Sequence, residues 1–204
     1  MKLDPHRTAV VAVHLQGDVV TRDGAFGGFF ADMIERTGVL GRSAELIGAA
    51  RDAGAKIAYT RVVFSEGHPE LIVNNQLFQV IDQVRCCADG TPGAAIVPEV
   101  APEEGDLVVG HHRVTGTHGS ALVGELRGAG VDTVLVLGVA TNLSVEGTAR
   151  NLVEEGFDTF IVTDCCTAAD QATHDASIAS LGLLATGLTD AGEAIDALQS
   201  GARA

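Results

Sequence analysis

The sequence predicts an α/β protein, a three-layer, Rossmann-like parallel sheet of about six strands with helices on both faces. Short β-branched and apolar runs alternate with segments of helical periodicity along the whole chain. This alternation is typical of a parallel sheet with right-handed crossovers. The chain has 204 residues, of which 46% are hydrophobic, and this is enough for one well-filled core. We therefore expect a single domain over residues 1–204.

The strands are predicted from continuous apolar runs of the length that strands buried on both faces have. In chain order they are Thr8–Leu15, Lys56–Phe64, Asp106–His111, Thr133–Val139, Asp158–Thr163 and a weaker sixth at Ala185–Leu188. Ligands of such sheets bind at the carboxyl ends of the strands. The residues that end these runs are therefore the first candidates for a site.

Helices are predicted between the strands, where apolar residues recur at helical spacing. They are Met33–Ala53, Gly119–Gly130, Asn142–Gly156, Asp170–Leu184 and Asp190–Leu198. Thr141 or Asn142 can cap the third of these helices, and Gly156 ends it. The glycine-rich stretch 23–30, DGAFGGFF, is predicted as a mobile loop over a pocket. Its phenylalanines, Phe26 among them, either pack in the core or a subunit interface, which is the favoured role, or form an apolar wall for a ligand.

Charge and composition argue against several classes of partner. The 13 basic and 27 acidic side chains give a formal net charge of −14, which disfavours nucleic acid and anionic membrane surfaces. No run approaches the roughly 20 apolar residues of a membrane span, and the N-terminal sequence has no signal-peptide core. The glycines of 23–30 lack the spacing of a dinucleotide-binding motif. We expect a cytoplasmic protein that acts on a small molecule without a cofactor.

Ser144 stands in the first turn of the helix that follows the strand Thr133–Val139. Unpaired backbone N–H groups and the helix dipole favour negative charge there, a geometry that suits an oxyanion hole. His14 and His111 also stand at strand ends, where groups that titrate near neutral pH are useful. We expect these three side chains to line one pocket.

Several segments resemble, in order, the landmarks of the isochorismatase-like hydrolases, also called the cysteine hydrolase superfamily. They are TAVVAVHLQGDVV (8–20), TRVVFSEGHPEL (60–71), GTPGAAIVPEV (90–100), GDLVVGHHRVTGTHGSAL (105–122), GVATNLSVEGTAR (138–150) and FIVTDCCTAAD (160–170). The resemblance covers nearly the whole chain. It implies one isochorismatase-like domain and a homodimer or homotetramer.

The family works with an aspartate, a lysine and a cysteine, and the matching residues here are His14, His111 and Ser144. In the family the aspartate is the acid or base, the lysine orients it, and the cysteine attacks a carbonyl carbon. The resemblance also implies an oxyanion hole formed by the N–H groups of Ala140 and Ser144, and a non-proline cis peptide bond is often found just before the first of these. We assign substrate contacts to Gln16, Asp18, Phe26, Phe64 and Thr141.

Three mechanisms are open. Ser144 attacks the substrate with His14 or His111 as its base, or it only donates a hydrogen bond while a histidine performs acid/base chemistry, as in isomerisation or elimination. In the third, catalysis is lost, and the pocket binds a ligand or the fold serves in an assembly. A serine hydroxyl is a far poorer acid than a thiol. We therefore favour His14 as the principal catalyst of an enzyme that acts on a small carbonyl-containing or cyclic metabolite.

Metal ions and thiols are further alternatives. His14, His111 and Asp18 are suitable ligands for zinc or iron, but they lack a characteristic spacing, and we predict no metal site. The four cysteines form two adjacent pairs, Cys86-Cys87 and Cys165-Cys166, which we expect to be reduced thiols. A nucleophile from the first pair is the less favoured alternative.

Overall fold

A computed structural model describes residues 2–203 as a single sheet of six parallel strands surrounded by helices. The strands are β1 (Thr8–Val13), β2 (Lys56–Val62), β3 (Leu107–His111), β4 (Thr133–Val139), β5 (Asp158–Thr167) and β6 (Gly187–Thr189). Their order across the sheet is β3-β2-β1-β4-β5-β6. The strand order therefore reverses between β1 and β4, the position at which open α/β sheets bind ligands. The predicted fold class is confirmed.

The central strands β1 and β4 form the most deeply buried part of the sheet. All six residues of β1 are buried, as are all residues of β4 after Thr133. Both strands consist mainly of valine, leucine and alanine, as expected for strands that are covered on both faces. Their carboxyl ends are consequently fixed by the core.

Helices connect the strands and cover the sheet. They are α1 (Gly17–Val20), α2 (Gly27–Thr37), α3 (Val39–Asp52), α4 (Gln76–Val84), α5 (Leu122–Gly128), α6 (Glu146–Glu154), α7 (Gln171–Leu181) and α8 (Ala191–Gly201). Asn75, Asp170 and Asp190 each accept a hydrogen bond from a first-turn N–H of the helix that follows. These side chains therefore set the starts of α4, α7 and α8.

Two predictions for the helices were wrong. The helix predicted over Met33–Ala53 is two helices, because Gly38 adopts a left-handed backbone with φ of 64° and ends α2. The stretch 23–30, predicted as a loop, contains the start of α2 at Gly27. A side chain at Gly27 would lie 2.2 Å from the carbonyl oxygen of Arg22, so the close approach of the chain requires glycine.

The structure also contains α4, a helix that was not predicted. Its buried residues Phe78 and Ile81 lie on one face, and the rest of the helix is mostly polar or partly exposed. Between residues 2 and 203, no helix combines the length and the apolar character that crossing a bilayer requires.

Candidate active site

His14 follows β1 directly and has a left-handed backbone, with φ of 54°. This conformation is uncommon for a residue other than glycine, and such residues concentrate at functional sites. The backbone N–H of His14 donates to the carbonyl of Thr60 in β2 over 3.0 Å. The turn holds the imidazole ring inside the protein, where only 3% of the residue is exposed.

His14 forms a buried pair with His111, the last residue of β3. Their Nε2 atoms lie 2.9 Å apart, and the rings stack with centroids 4.9 Å apart. At this distance one ring must donate its proton and the other must accept it. The two residues come from strands that flank β2, so the pair crosses the end of that strand.

Burial lowers the pKa of both histidines. The pKa of His14 lies well below its ordinary value, first because the ring is removed from water and second because His111 repels a positive charge. Burial lowers the pKa of His111 to about 4, a change that the backbone of Arg113 opposes. Both rings are therefore neutral at pH 7. Since Nε2 of His14 is engaged by His111, Nδ1 is the ring nitrogen left to contact a ligand.

A small cavity of about 40 Å³ lies at the carboxyl ends of β1 and β4 and brings together His14, Ala140 and Ser144. The residues that line the rest of it are mostly apolar, among them Val19, Phe26, Phe30, Phe78 and Leu143. His111 lies behind His14 and does not line the cavity. Of the three residues predicted to be catalytic, His14 and Ser144 thus line one cavity, and His111 contacts His14 from outside it.

Ser144 lies in a π-helical turn, Thr141–Val145, that connects β4 to α6. The carbonyl of Ala140 accepts hydrogen bonds from the N–H groups of Leu143 and Val145, over 3.1 Å and 3.2 Å. The peptide bond between Val139 and Ala140 is cis, as the resemblance implied. Among residues 2–203, neither His14 nor His111 is hydrogen bonded to the Ser144 hydroxyl.

The residues assigned to substrate contacts are placed differently from one another. Phe26 lines the cavity, whereas the Gln16 amide is fully buried and bonds the backbone N–H and carbonyl of Val62. Asp18 accepts a hydrogen bond from the N–H of Cys87 and lines a separate recess. Phe64 is buried against the rings of two other histidines, His68 and His112.

Thr141 is the remaining assigned residue, and its side chain is turned away from the cavity. Its Oγ1 lies 2.9 Å from Nδ1 of His174 in α7. Ser177, one turn further along α7, lies within hydrogen-bond distance of both the Thr141 carbonyl and the Glu146 carboxylate. Helix α7 therefore supports the turn that carries Ser144. The sequence contained no signal for this support, because α7 lies more than 30 residues beyond Thr141.

The possible metal ligands His14, His111 and Asp18 do not form one cluster, because Asp18 lies beside Cys86 and Cys87 and not beside the histidine pair. In the part of the chain that the structure describes, the residues whose ligand atoms lie close enough to share an ion are Asp18, Cys86 and Cys87. Cys87 also lines the cavity, as does Arg113. Cys87 lies between β2 and β3, and Arg113 lies in the loop after β3.

Comparisons with known proteins agree with the fold. The model of the isochorismatase domain family matches residues 8–193. The isochorismatase family protein YecD of Escherichia coli O157:H7 is 27% identical over 87% of this chain and 89% of that protein. The ureidoacrylate amidohydrolase RutB of Methylobacterium radiotolerans is 27% identical over 88% of this chain and 74% of that protein.

The fold also matches solved structures. The crystal structure of a cysteine hydrolase from Pseudomonas syringae superposes with a TM-score of 0.86 and 24% identity, over 98% of this chain and 96% of that one. The family match spans nearly the whole sheet and the cavity at its carboxyl edge. The chain belongs to the isochorismatase family.

Proposed function

We propose that the protein is a hydrolase with a divergent His14, His111 and Ser144 site that acts on a small carbonyl-containing or cyclic metabolite. The observation that carries the proposal is the buried His14–His111 pair, whose His14 ring faces the same cavity as Ser144 and Ala140. A relative in the family is named as an amidohydrolase. This supports an amide as the first bond to test.

His14 acts as the acid or base through Nδ1. When His111 donates its Nε2 proton to His14, the other nitrogen of His14 carries a proton and acts as an acid. When His14 donates instead, its Nδ1 has a free lone pair and acts as a base for water or substrate. Because the pKa of each ring is lowered by burial, both forms are uncharged at neutral pH. His111 therefore positions His14 and selects its tautomer.

Ser144 supports the reaction rather than starting it. Within residues 2–203 its hydroxyl has no hydrogen bond to a base, and a serine without such a base stays protonated. Ala140 and Ser144 both line the cavity, which supports a role for the Ser144 hydroxyl and the two backbone N–H groups in stabilising charge on a carbonyl oxygen. One donor of this kind contributes about 10²–10³ in rate.

Arg113 gives the cavity a positive charge and points to an anionic substrate. Its guanidinium lies 4.9 Å from the centre of the Phe78 ring. Its hydrogen bonds to Ile72 and Asn74 are both long, at 3.4 Å. The ion pairs formed among residues 2–203 do not include it. A carboxylate on the substrate would supply the missing partner.

The alternative is a ligand-binding or assembly protein of the same family without catalysis. The lack of a hydrogen bond between Ser144 and either histidine of the pair favours it. A panel of small amides and esters, each with and without a carboxylate, separates the two functions. We expect turnover of a carboxylate-bearing member, lost in His14→Ala. Tight binding, measured by calorimetry, without turnover of any member would favour the alternative.

A further inference from the structure

Two cysteines and an aspartate meet at the wall of the candidate active site, which Cys87 lines. The Sγ atoms of Cys86 and Cys87 and a carboxylate oxygen of Asp18 all lie within 4.8 Å of one another. Cys87 is 1% exposed and Cys86 is 7% exposed. The mechanism proposed above uses none of the three. Their proximity therefore needs its own explanation.

The local backbone brings the two thiols together. In an extended strand, neighbouring side chains point to opposite faces, as expected for Cys165 and Cys166 in β5. Cys86 and Cys87 instead lie in a loop where Cys87 has a φ of 58°. This left-handed conformation breaks the alternation, so that adjacent thiols share one side of the chain.

Surrounding hydrogen bonds hold the three groups in place. The N–H of Cys87 donates to Asp18 Oδ2 over 2.6 Å, which orients the carboxylate. The Gln16 amide lies 3.7 Å from Cys87 Sγ and is itself fixed by the backbone of β2. Nε2 of His68 bonds the carbonyl of Cys86 over 2.8 Å. Partners of this kind orient ligands at metal sites.

We propose that Asp18, Cys86 and Cys87 form a binding site for a thiophilic divalent cation of the zinc class. Thiolates select such cations over magnesium or calcium. Three protein ligands leave one coordination position open, as at zinc sites with an exchangeable ligand. Bonds of about 2.3 Å to sulfur require the ligand atoms to contract by about 1 Å, a movement within the reach of side-chain rotation. Both thiols lose their protons when the ion binds.

The test is a titration of the reduced, chelator-treated protein with Cd²⁺. Binding is measured by the ultraviolet absorbance of the thiolate-to-cadmium charge-transfer band. We expect one equivalent to bind with release of protons. Cys86→Ser and Cys87→Ser should each weaken binding by at least tenfold, and Asp18→Asn should weaken it by about tenfold. Circular dichroism checks the fold of each variant. If Cys87→Ser does not fold, Cys86→Ser and Asp18→Asn decide the result.

The second cysteine pair supplies the matched control. Cys165→Ser and Cys166→Ser remove equally buried neighbouring thiols and should leave the affinity unchanged. The proposal is overturned if no band appears, if the band persists with full affinity in Cys86→Ser, or if it disappears in Cys165→Ser.

Discussion

The hydroxyl of Thr141 is hydrogen bonded to Nδ1 of His174, which joins the turn before α6 to helix α7. The contact spans 33 residues of sequence and lies on the far side of the turn from the cavity. It means that the position of Ser144 depends on a helix that contributes nothing to the cavity wall itself. The first prediction tests this dependence.

Thr141→Val should lower the free energy of unfolding by about 1 kcal/mol, because it removes one partner of a partly buried hydrogen bond. His174→Ala should cost a similar amount. In the double variant the two costs should not add, since both changes remove the same bond. Urea denaturation of the four proteins measures this coupling. Simple additivity would show that the two side chains act independently.

His14→Ala should be the most damaging substitution for activity, because it removes the only ring nitrogen of the histidine pair that is left to a ligand. Ser144→Ala should lower kcat by about 10²–10³, the effect of losing one oxyanion donor. His112→Ala is a matched control, since that ring bonds the Val63 carbonyl and does not line the cavity. An acyl adduct trapped on the peptide that contains Ser144 would instead identify the serine as the nucleophile.

Activity should stay level at neutral pH and decline only under acidic conditions. In the proposed mechanism His14 works in its neutral form, and its pKa lies well below the ordinary value of 6.5. The acidic limb of the kcat/KM profile should therefore fall below pH 6.5 rather than at it. A limb centred at or above 6.5 would mean that His14 is not the titrating group.

Stability should also depend on pH through the histidine pair. The pKa of His111 is about 4 in the folded protein, below the value of 6.5 in the unfolded chain, so the unfolded state binds more protons between these values. The contribution of neutral His111 to stability is fully present above pH 6.5 and is lost as the pH falls toward 4. As the pH falls from about 6.5 to 5, the free energy of unfolding should decrease by about 2 kcal/mol because of His111 alone. Urea midpoints of wild type and His111→Gln measure it, and an equal pH slope in both proteins would contradict it.

Arg113→Met should raise KM for a carboxylate-bearing substrate by roughly tenfold or more, because an ionic hydrogen bond contributes about 1.5–3 kcal/mol. The value of kcat should change little, since the carboxylate is bound equally in the ground and transition states. Arg113→Lys retains the charge and should recover part of the loss. A neutral analogue of the same substrate should show no difference, and an equal loss for both substrates would refute a role in anion recognition.

Iodoacetamide should inactivate the protein slowly at most. Cys87 lines the cavity, but its hydrogen bond with Cys86 and its burial raise the pKa of its thiol, so little Cys87 thiolate is present to react. The rate should not differ between wild type and Cys87→Ser. Rapid, complete and substrate-protected inactivation would move the nucleophile from the His14 and Ser144 site to this loop.

The sequence was most informative where local pattern and burial agree. Strand β4 was predicted with its observed bounds, Thr133–Val139, because a continuous apolar run bounded by polar residues leaves little choice of structure. The helix break at Gly38 was missed, since a single glycine is also tolerated inside a helix. Helix α4 was missed because its burial depends on neighbours that are distant in sequence.

The candidate site residues also divide into those that the sequence pattern indicated and those that it did not. His14 and Ser144 were found because they end or follow strongly patterned strands, and the carboxyl ends of neighbouring strands meet. The roles of Arg113, His174 and Cys87 depend on the paths of loops and on contacts between elements far apart in the chain. Nothing in the local sequence distinguishes Arg113 or His174 from ordinary surface or core residues, and the adjacent pair Cys86-Cys87 was noticed without its contact with Asp18.

The approach of β1 and β4 at Gly138 has a consequence for the chemistry that this fold can host. A side chain at Gly138 would lie 2.1 Å from the carbonyl oxygen of Val13, the residue immediately before His14. The close contact between the two main chains thus fixes the spacing between His14 and the turn Thr141–Val145. Side chains at 14, 111 and 144 can then be exchanged for other reactive groups while the frame that presents them keeps its dimensions.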